Sequence, residues 1–251
     1  MNENNLISIK NIGKNIKTQK KIISQIIVVG DQNVGKTSLI NKFLFPEKKI
    51  NLDNYIPTNS FELLWNNYLI NEKEIICLQF WDITGNECYQ QYAENFYKKC
   101  SFVFFIYSID NKKSFLSINK WIEYYKKYNN EKDNILYLIG NKNDLENKRE
   151  ISYEEGIKFS EEKNFSYFVE ININDEIKME SLINKTINKL YNLYLQLKNE
   201  NDINNISDSE DSCISIEISE SRKSLNSIKN DKKKDNFNNY NYGWCFNCIL
   251  I

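Results

Sequence analysis

Residues Gly30 to Thr37 read GDQNVGKT, with two glycines five positions apart and a lysine and a hydroxyl directly after the second. Between a strand and a helix, that spacing suits anionic oxygens. Gly35 lets backbone N–H groups close round a phosphate, and the start of the helix adds its favourable dipole. Lys36 can reach a β- or γ-phosphate, and the Thr37 hydroxyl can ligate Mg²⁺. The candidate cradle is Asp31, Gln32, Asn33, Val34, Gly35, Lys36, Thr37 and Ser38.

Two further stretches complete the chemistry. WDITG carries Asp82, which can hold Mg²⁺ through water at a strand end, and Gly85, whose N–H can approach a γ-phosphate unhindered. Thr58, in YIPTNSF, can give Mg²⁺ a second hydroxyl when the γ-phosphate is present, so its loop would be ordered by a triphosphate and released by a diphosphate. NKND, Asn141 to Asp144, follows a buried strand. The Asp144 carboxylate can accept from both N1–H and the 2-amino group of guanine, a donor pair that adenine lacks. Asn141 can bond the base and its neighbours, and the Lys142 stem can lie across the ring. Together these predict GTP/GDP and Mg²⁺ as cofactors.

The elements that must position these residues are legible as periodicities. KIISQIIVV is a β-branched run, followed by a helix through Leu39, Ile40, Phe43 and Leu44. FELLWNNYLI and EIICLQFWDI predict a hairpin joined by Asn71–Lys73, while FVFFIYSI and ILYLIGNKND read as buried strands. Between those two, Phe115, Ile118, Trp121, Ile122 and Tyr125 mark one face of a helix. YEEGIKFSEEKNF is another helix, YFVEI another strand, and Leu182–Leu197 a last amphipathic helix. Alternating strands and helices predict an α/β fold with a mostly parallel sheet covered on both faces. The domain boundaries expected are a flexible arm over 1–21, one folded domain over 22–197 and a flexible tail over 198–251.

Composition narrows the classes. The chain has no His, which excludes imidazole acid–base catalysis and the usual zinc ligands. A net charge of −1 argues against a nucleic-acid partner. The six Cys show no disulfide spacing, and neither a secretory signal nor N-myristoylation is expected, since position 2 is Asn. The apolar run FVFFIY is far too short to span a bilayer. After Leu197 the chain turns acidic and Ser-rich, with Ser207, Ser209 and Ser212 among carboxylates, and then Lys- and Asn-rich. Such composition reads as a tether. It ends in CFNCILI, where Cys248 opens a C-a-a-X motif whose last residue favours geranylgeranyl, and Cys245 offers a second lipid site.

With these motifs in order, Ile22 to Leu197 resembles the Ras-like small GTPases, and their Rab branch most of all. CLQFWDITG is similar to that branch's LQIWDTAG, ECYQQYAENFYKKC to ERYRSLTPSYYRGA, and YSIDNKKSFLSINKW to YDITNKKSFENLKKW. The resemblance implies a six-stranded, mostly parallel sheet with helices on both faces, the P-loop G domain. It implies a monomeric GTP/GDP switch in vesicle traffic, with effectors, an exchange factor, a GTPase-activating protein and prenyltransferase machinery as partners. Its expected location is the cytoplasmic face of an endomembrane, held by the C-terminal lipid and cycling with cytosol. Leu63, Trp81 and Phe96 fall where the branch displays an apolar triad to effectors, although ordinary core packing is the competing reading.

The departures are specific. Asn86 stands where the family carries a Gln that orients the attacking water; it is one methylene shorter, and a misplacement of about 1 Å can cost about a hundredfold in rate. Gln32 replaces a small cradle residue and crowds the approach of an arginine finger, and Asn33 replaces a residue that is often Gly. TNSFEL stands for TIGVDF in a longer first switch, where Asn51 aligns with the usual aromatic. The third guanine loop, usually ETSAK, reads EININ, putting Ile173 and Asn174 where small residues offer N–H groups to the base. These changes predict slow hydrolysis and weaker or faster-exchanging nucleotide. A nucleotide-locked pseudo-GTPase scaffold is the alternative, and a different P-loop enzyme is disfavoured by NKND.

Overall fold

The structure is a computed structural model that describes residues 10–11, 20–47, 62–71, 74–85, 94–100, 102–129, 134–200 and 213–215. All of these lie within one unit, Met1–Ser219; the second, Glu220–Ile251, is outside the described residues. Among the described residues eight strands form one sheet: β1 (Lys10–Asn11), β2 (Lys20–Val29), β3 (Glu62–Asn71), β4 (Glu74–Asp82), β5 (Phe102–Ser108), β6 (Ile135–Asn141), β7 (Tyr167–Glu170) and β8 (Cys213–Ser215). Their order is β1-β3-β4-β2-β5-β6-β7, with β8 paired to β2. β3 and β4 are the antiparallel hairpin expected from their alternation, in a register that sets Leu63 opposite Trp81. β2 is parallel to β4 and β5, and β5–β6 and β6–β7 are also parallel. The expected six-stranded sheet is thus β2 to β7. Two short pieces from outside 22–197 add to it: β1 lies antiparallel on β3, and β8 runs parallel to β2 at Lys21–Ile23, below the point where β5 begins.

Both faces of the sheet are buried, as continuous apolar strands require. Along β5 the period of two sends Phe102, Phe104 and Ile106 to one core, with Leu39, Ile40 and Phe43 of α1 (Lys36–Leu44) and Leu182 and Ile187 of α6 (Glu176–Glu200). Val103, Phe105 and Tyr107 go to the other, with Ile118, Trp121, Ile122 and Tyr125 of α4 (Ile118–Tyr128). Two polar residues of β3 are buried for a reason the alternation does not reveal. Asn66 Nδ2 donates to Leu44 O at 2.6 Å and Tyr68 Oη donates to Phe43 O at 2.5 Å, satisfying carbonyls that the end of α1 leaves open.

The remaining helices follow local rules. α2 spans Glu94–Lys99. α5 (Tyr153–Glu162) begins with a capping box: Ser152 accepts from Glu155 N, and the Glu155 carboxylate accepts from Ser152 N. The single helix expected through Phe115 and Tyr125 is broken into α3 (Lys112–Leu116) and α4. Ser117 sits at the joint, its Oγ donating to Lys113 O at 2.9 Å, a back-bond that bends a helix without disturbing the buried face. α6 starts earlier than Leu182, because Asp175 caps it by accepting from Lys178 N. No helix among the described residues is long and apolar enough to cross a membrane.

Candidate functional site

From β2 the chain crosses to β3 and β4 on one side and then reaches β5 on the other. Such a reversal opens a crevice at the carboxyl ends of the strands. The loops after β2, β4, β6 and β7 all emerge there, carrying the cradle, Asp82–Gly85, Asn141–Asp144 and Ile171–Asn174 respectively.

The cradle after β2 has the backbone its glycines demand. Gly30 has φ +152°, and a Cβ there would lie 2.2 Å from Ile106 O; Gly35 has φ +95°, and its Cβ would lie 2.3 Å from Asn141 Nδ2. Side chains are excluded at both places by sterics. Asn33 also has positive φ, +62°, which explains the residue: Asn is the side chain that best tolerates the conformation Gly usually supplies. Val34 is buried in the core and contributes its carbonyl, which accepts from Asn141 Nδ2 at 2.8 Å. That bond ties the loop after β2 to the loop after β6 across 107 residues of sequence.

Lys36 is buried, and its Nζ donates to Gly30 O at 3.0 Å and Asp31 O at 2.8 Å. Burial lowers its pKa to about 8, against the opposing pull of the Asp82 and Asp31 carboxylates. It therefore remains mostly an ammonium at neutral pH, a desolvated cation with two carbonyls for company. Thr37 Oγ1 donates to Asp82 Oδ2 at 2.5 Å, so the two residues expected at Mg²⁺ are in contact. Hydroxyl and carboxylate oxygens are the hard donors that Mg²⁺ takes, and the pair fits that ion. Gly85 rests on the loop, where an added Cβ would lie 2.5 Å from Gln32 N and 2.7 Å from Lys36 Nζ. Gln32, Asn33, Gly35, Lys36, Thr37, Ser38 and Gly85 line a cavity of about 30 Å³.

In the loop after β6, Asn141 is buried, and its Oδ1 is unpaired among the described residues. Lys142 adopts φ +64°, which turns the chain so that Asp144 stands exposed at the rim. The third loop differs from what its letters suggest. Ile173 is 6% exposed and packs in the core, so its bulk does not stand in the crevice. Asn172 Oδ1 accepts from Asn174 N at 2.9 Å, an Asx turn that presets the loop. Thr58 and Asn86 lie outside the described residues, as do Asn51, Cys245 and Cys248.

On the neighbouring surface, Leu63 is 38% exposed and shares a face with its cross-strand partner Trp81. Trp81 and Phe96 are half-buried, their rings tilted at 42° with 4.4 Å between centroids. The three are partly packed and partly displayed, so the two readings of them are compatible.

Two partnerships were not read from the sequence. Arg149 donates twice to Glu170, at 2.8 and 2.7 Å, and also to Glu146 and Ile151 O. Trp121 Nε1 donates to Asp31 Oδ1 at 2.8 Å. The first had a signal: Arg149 is the only arginine between residues 22 and 197 of a lysine-rich sequence, and arginine marks bidentate pairing. The second had none, since the helix periodicity accounted fully for Trp121.

Comparison with known proteins agrees with this geometry. The model of the Ras family matches residues 25–192. The Ras-related protein Rab-11B of Dictyostelium discoideum is 32% identical over 186 residues, covering 73% of this chain and 81% of the relative. The Ypt/Rab-type GTPase Rab7 of Neurospora crassa is 30% identical over 158 residues, 61% of this chain and 75% of the relative. The Ras-related protein Rab-12 of Mus musculus is 29% identical over 170 residues, 66% of each chain. The chain belongs to the Ras family, in its Rab branch, and is a Rab-like small GTPase.

Proposed function

We propose that this chain is a GTP/GDP-cycling switch that recruits effectors in vesicle-mediated transport and hydrolyses GTP slowly. The observation that carries the reading is the convergence of Lys36, the Thr37–Asp82 pair and the Asn141–Val34 bond on one crevice. In this reading the backbone of Asp31 to Ser38 cradles the phosphates, with Lys36 as their cation. Thr37 and Asp82, with Thr58 from the first switch, would hold Mg²⁺, which when bound neutralises charge on the phosphate oxygens. Asn141, Lys142 and Asp144 take the guanine, with Ile173 and Asn174 beside it. A γ-phosphate on Gly85 and Thr58 orders both switches, and Leu63, Trp81 and Phe96 present the effector surface. An exchange factor and a GTPase-activating protein would act on the same two loops.

Slow hydrolysis rests on Asn86, whose amide is too short to hold the attacking water where a Gln would. Asn86→Gln is expected to raise the single-turnover rate of phosphate release by about a hundredfold, the amount that such a misplacement costs. A wild-type rate already equal to that of the variant would remove the claim.

The tail supports attachment to the cytoplasmic face of an endomembrane, through a geranylgeranyl group on Cys248 and a second lipid on Cys245, aided by the lysines at 229–234. The prenyltransferase machinery is then a further partner. Mass spectrometry of the C-terminal peptide from native cells is expected to show a prenylated Cys248; an intact, unmodified CILI end would refute the anchor.

A further inference from the structure

Asp31 is an anomaly within the cradle. It is the second residue of a loop built to hold phosphate, and it carries the same sign of charge as the ligand. Yet its side chain does not line the cavity that its neighbours Gln32, Asn33 and Lys36 line. Its backbone carbonyl accepts from Lys36, while its carboxylate accepts from the indole N–H of Trp121 at 2.8 Å.

We propose that Trp121 is a positioning residue for nucleotide binding, its indole N–H holding the Asp31 carboxylate out of the phosphate cradle and away from Lys36. The inference rests on the guanine-nucleotide reading of this site. Trp121 is 1% exposed and fixed on α4 by the core it shares with Ile118, Ile122 and Tyr125. An indole nitrogen only donates, and when buried it needs an acceptor. The Asp31 carboxylate is that acceptor, and the bond is charge-assisted. The benefit is mutual: the indole is satisfied, and the carboxylate loses the freedom to turn inward. Released, it would lie within reach of the buried Lys36 ammonium, which already feels its charge. An Asp31–Lys36 ion pair would compete with the phosphates for their cation, and the free carboxylate would repel them. GTP, with one more phosphate, suffers more than GDP.

The test compares GDP and GTP affinities of the full-length chain and its variants, stripped of nucleotide, with thermal unfolding as a control. Trp121→Phe is expected to weaken GTP about tenfold and GDP by less, the scale of one charge pair about 3 Å apart with water-like screening. Adding Asp31→Asn to that variant is expected to restore most of the loss, because the amide has no charge with which to capture Lys36. Core filling alone predicts no such rescue, so a loss that Asp31→Asn does not repair overturns the inference. If Trp121→Phe does not fold, Asp31→Glu decides the matter with the indole intact. Its longer side chain pushes the carboxylate off the bond, and it is expected to weaken GTP about tenfold while lowering thermal stability only by the loss of that one hydrogen bond. GTP affinity of Asp31→Glu equal to that of wild type overturns the proposal. A wild-type chain that binds neither nucleotide overturns the guanine-nucleotide reading and this inference with it, whereas binding without rescue overturns this inference alone.

Discussion

Asp144→Asn is expected to lower the affinity for GDP and GTP about a thousandfold while raising that for xanthine nucleotides. The loss follows from two hydrogen bonds to a charged acceptor, each worth about 1.5–3 kcal/mol. The gain follows from complementarity: xanthine presents a carbonyl where guanine presents an amine, and an Asn amide supplies both the donor and the acceptor that xanthine needs. The loop that places Asp144 does not depend on its side chain. Asn143 N donates to Ile171 O at 3.1 Å, Leu145 N donates to Lys142 O at 2.9 Å, and Asp144 itself is exposed. The substitution should therefore change selectivity without changing thermal stability. Competition binding with GDP and XDP reads the outcome directly, and an unchanged preference for guanine would refute the role given to Asp144.

Arg149→Ala is expected to destabilise the fold by about 3 kcal/mol and to speed nucleotide release. Glu170 is 6% exposed, and its carboxylate takes two bonds from the Arg149 fork. Removing one partner of such a pair strands a buried charge, a loss of about 3–5 kcal/mol; the lower figure suits an arginine whose side chain is 18% exposed. The contact to Glu146 is solvent-exposed and contributes little. Nucleotide release is expected to quicken because the bridge joins the two loops proposed to hold the guanine: Arg149 closes the segment that begins at Asn141, and Glu170 opens the one that ends at Asn174. The backbone bonds Ile171 N to Gly140 O and Asn143 N to Ile171 O stitch the same two loops. Arg149→Lys keeps the charge but not the fork, and is expected to fall between Ala and wild type. Urea unfolding and release of a fluorescent GDP measure the two effects. An Arg149→Ala protein as stable as wild type would refute the brace.

Much of the site was legible because its chemistry is local in sequence. A strand, a glycine loop and a helix must be contiguous to make a phosphate cradle, so Gly30 to Thr37 announce it by spacing alone. Asp82 and Asn141 were readable for a related reason, each ending a buried strand whose carboxyl end faces the crevice. What failed to show was whatever depended on a distant partner. The burial of Asn66 and Tyr68 in β3 depends on the end of α1, whose carbonyls they meet. EININ lacks the small residues of the usual loop, and only the structure shows that Ile173 packs in the core while Asn172 Oδ1 accepts from Asn174 N. The consequence of Asn33 standing where Gly is usual shows only in its positive φ.

The residue types and their order by themselves determined the ligand class, the strand–helix alternation and the family, because these depend on spacing along one segment at a time. Tertiary structure alone decided how the segments hold one another: Asn141 on Val34, Arg149 on Glu170, Trp121 on Asp31. The reason is physical. A periodic pattern records which face of an element leaves water, but a hydrogen bond between residues 90 positions apart depends on where two elements come to rest, and neither segment carries that alone.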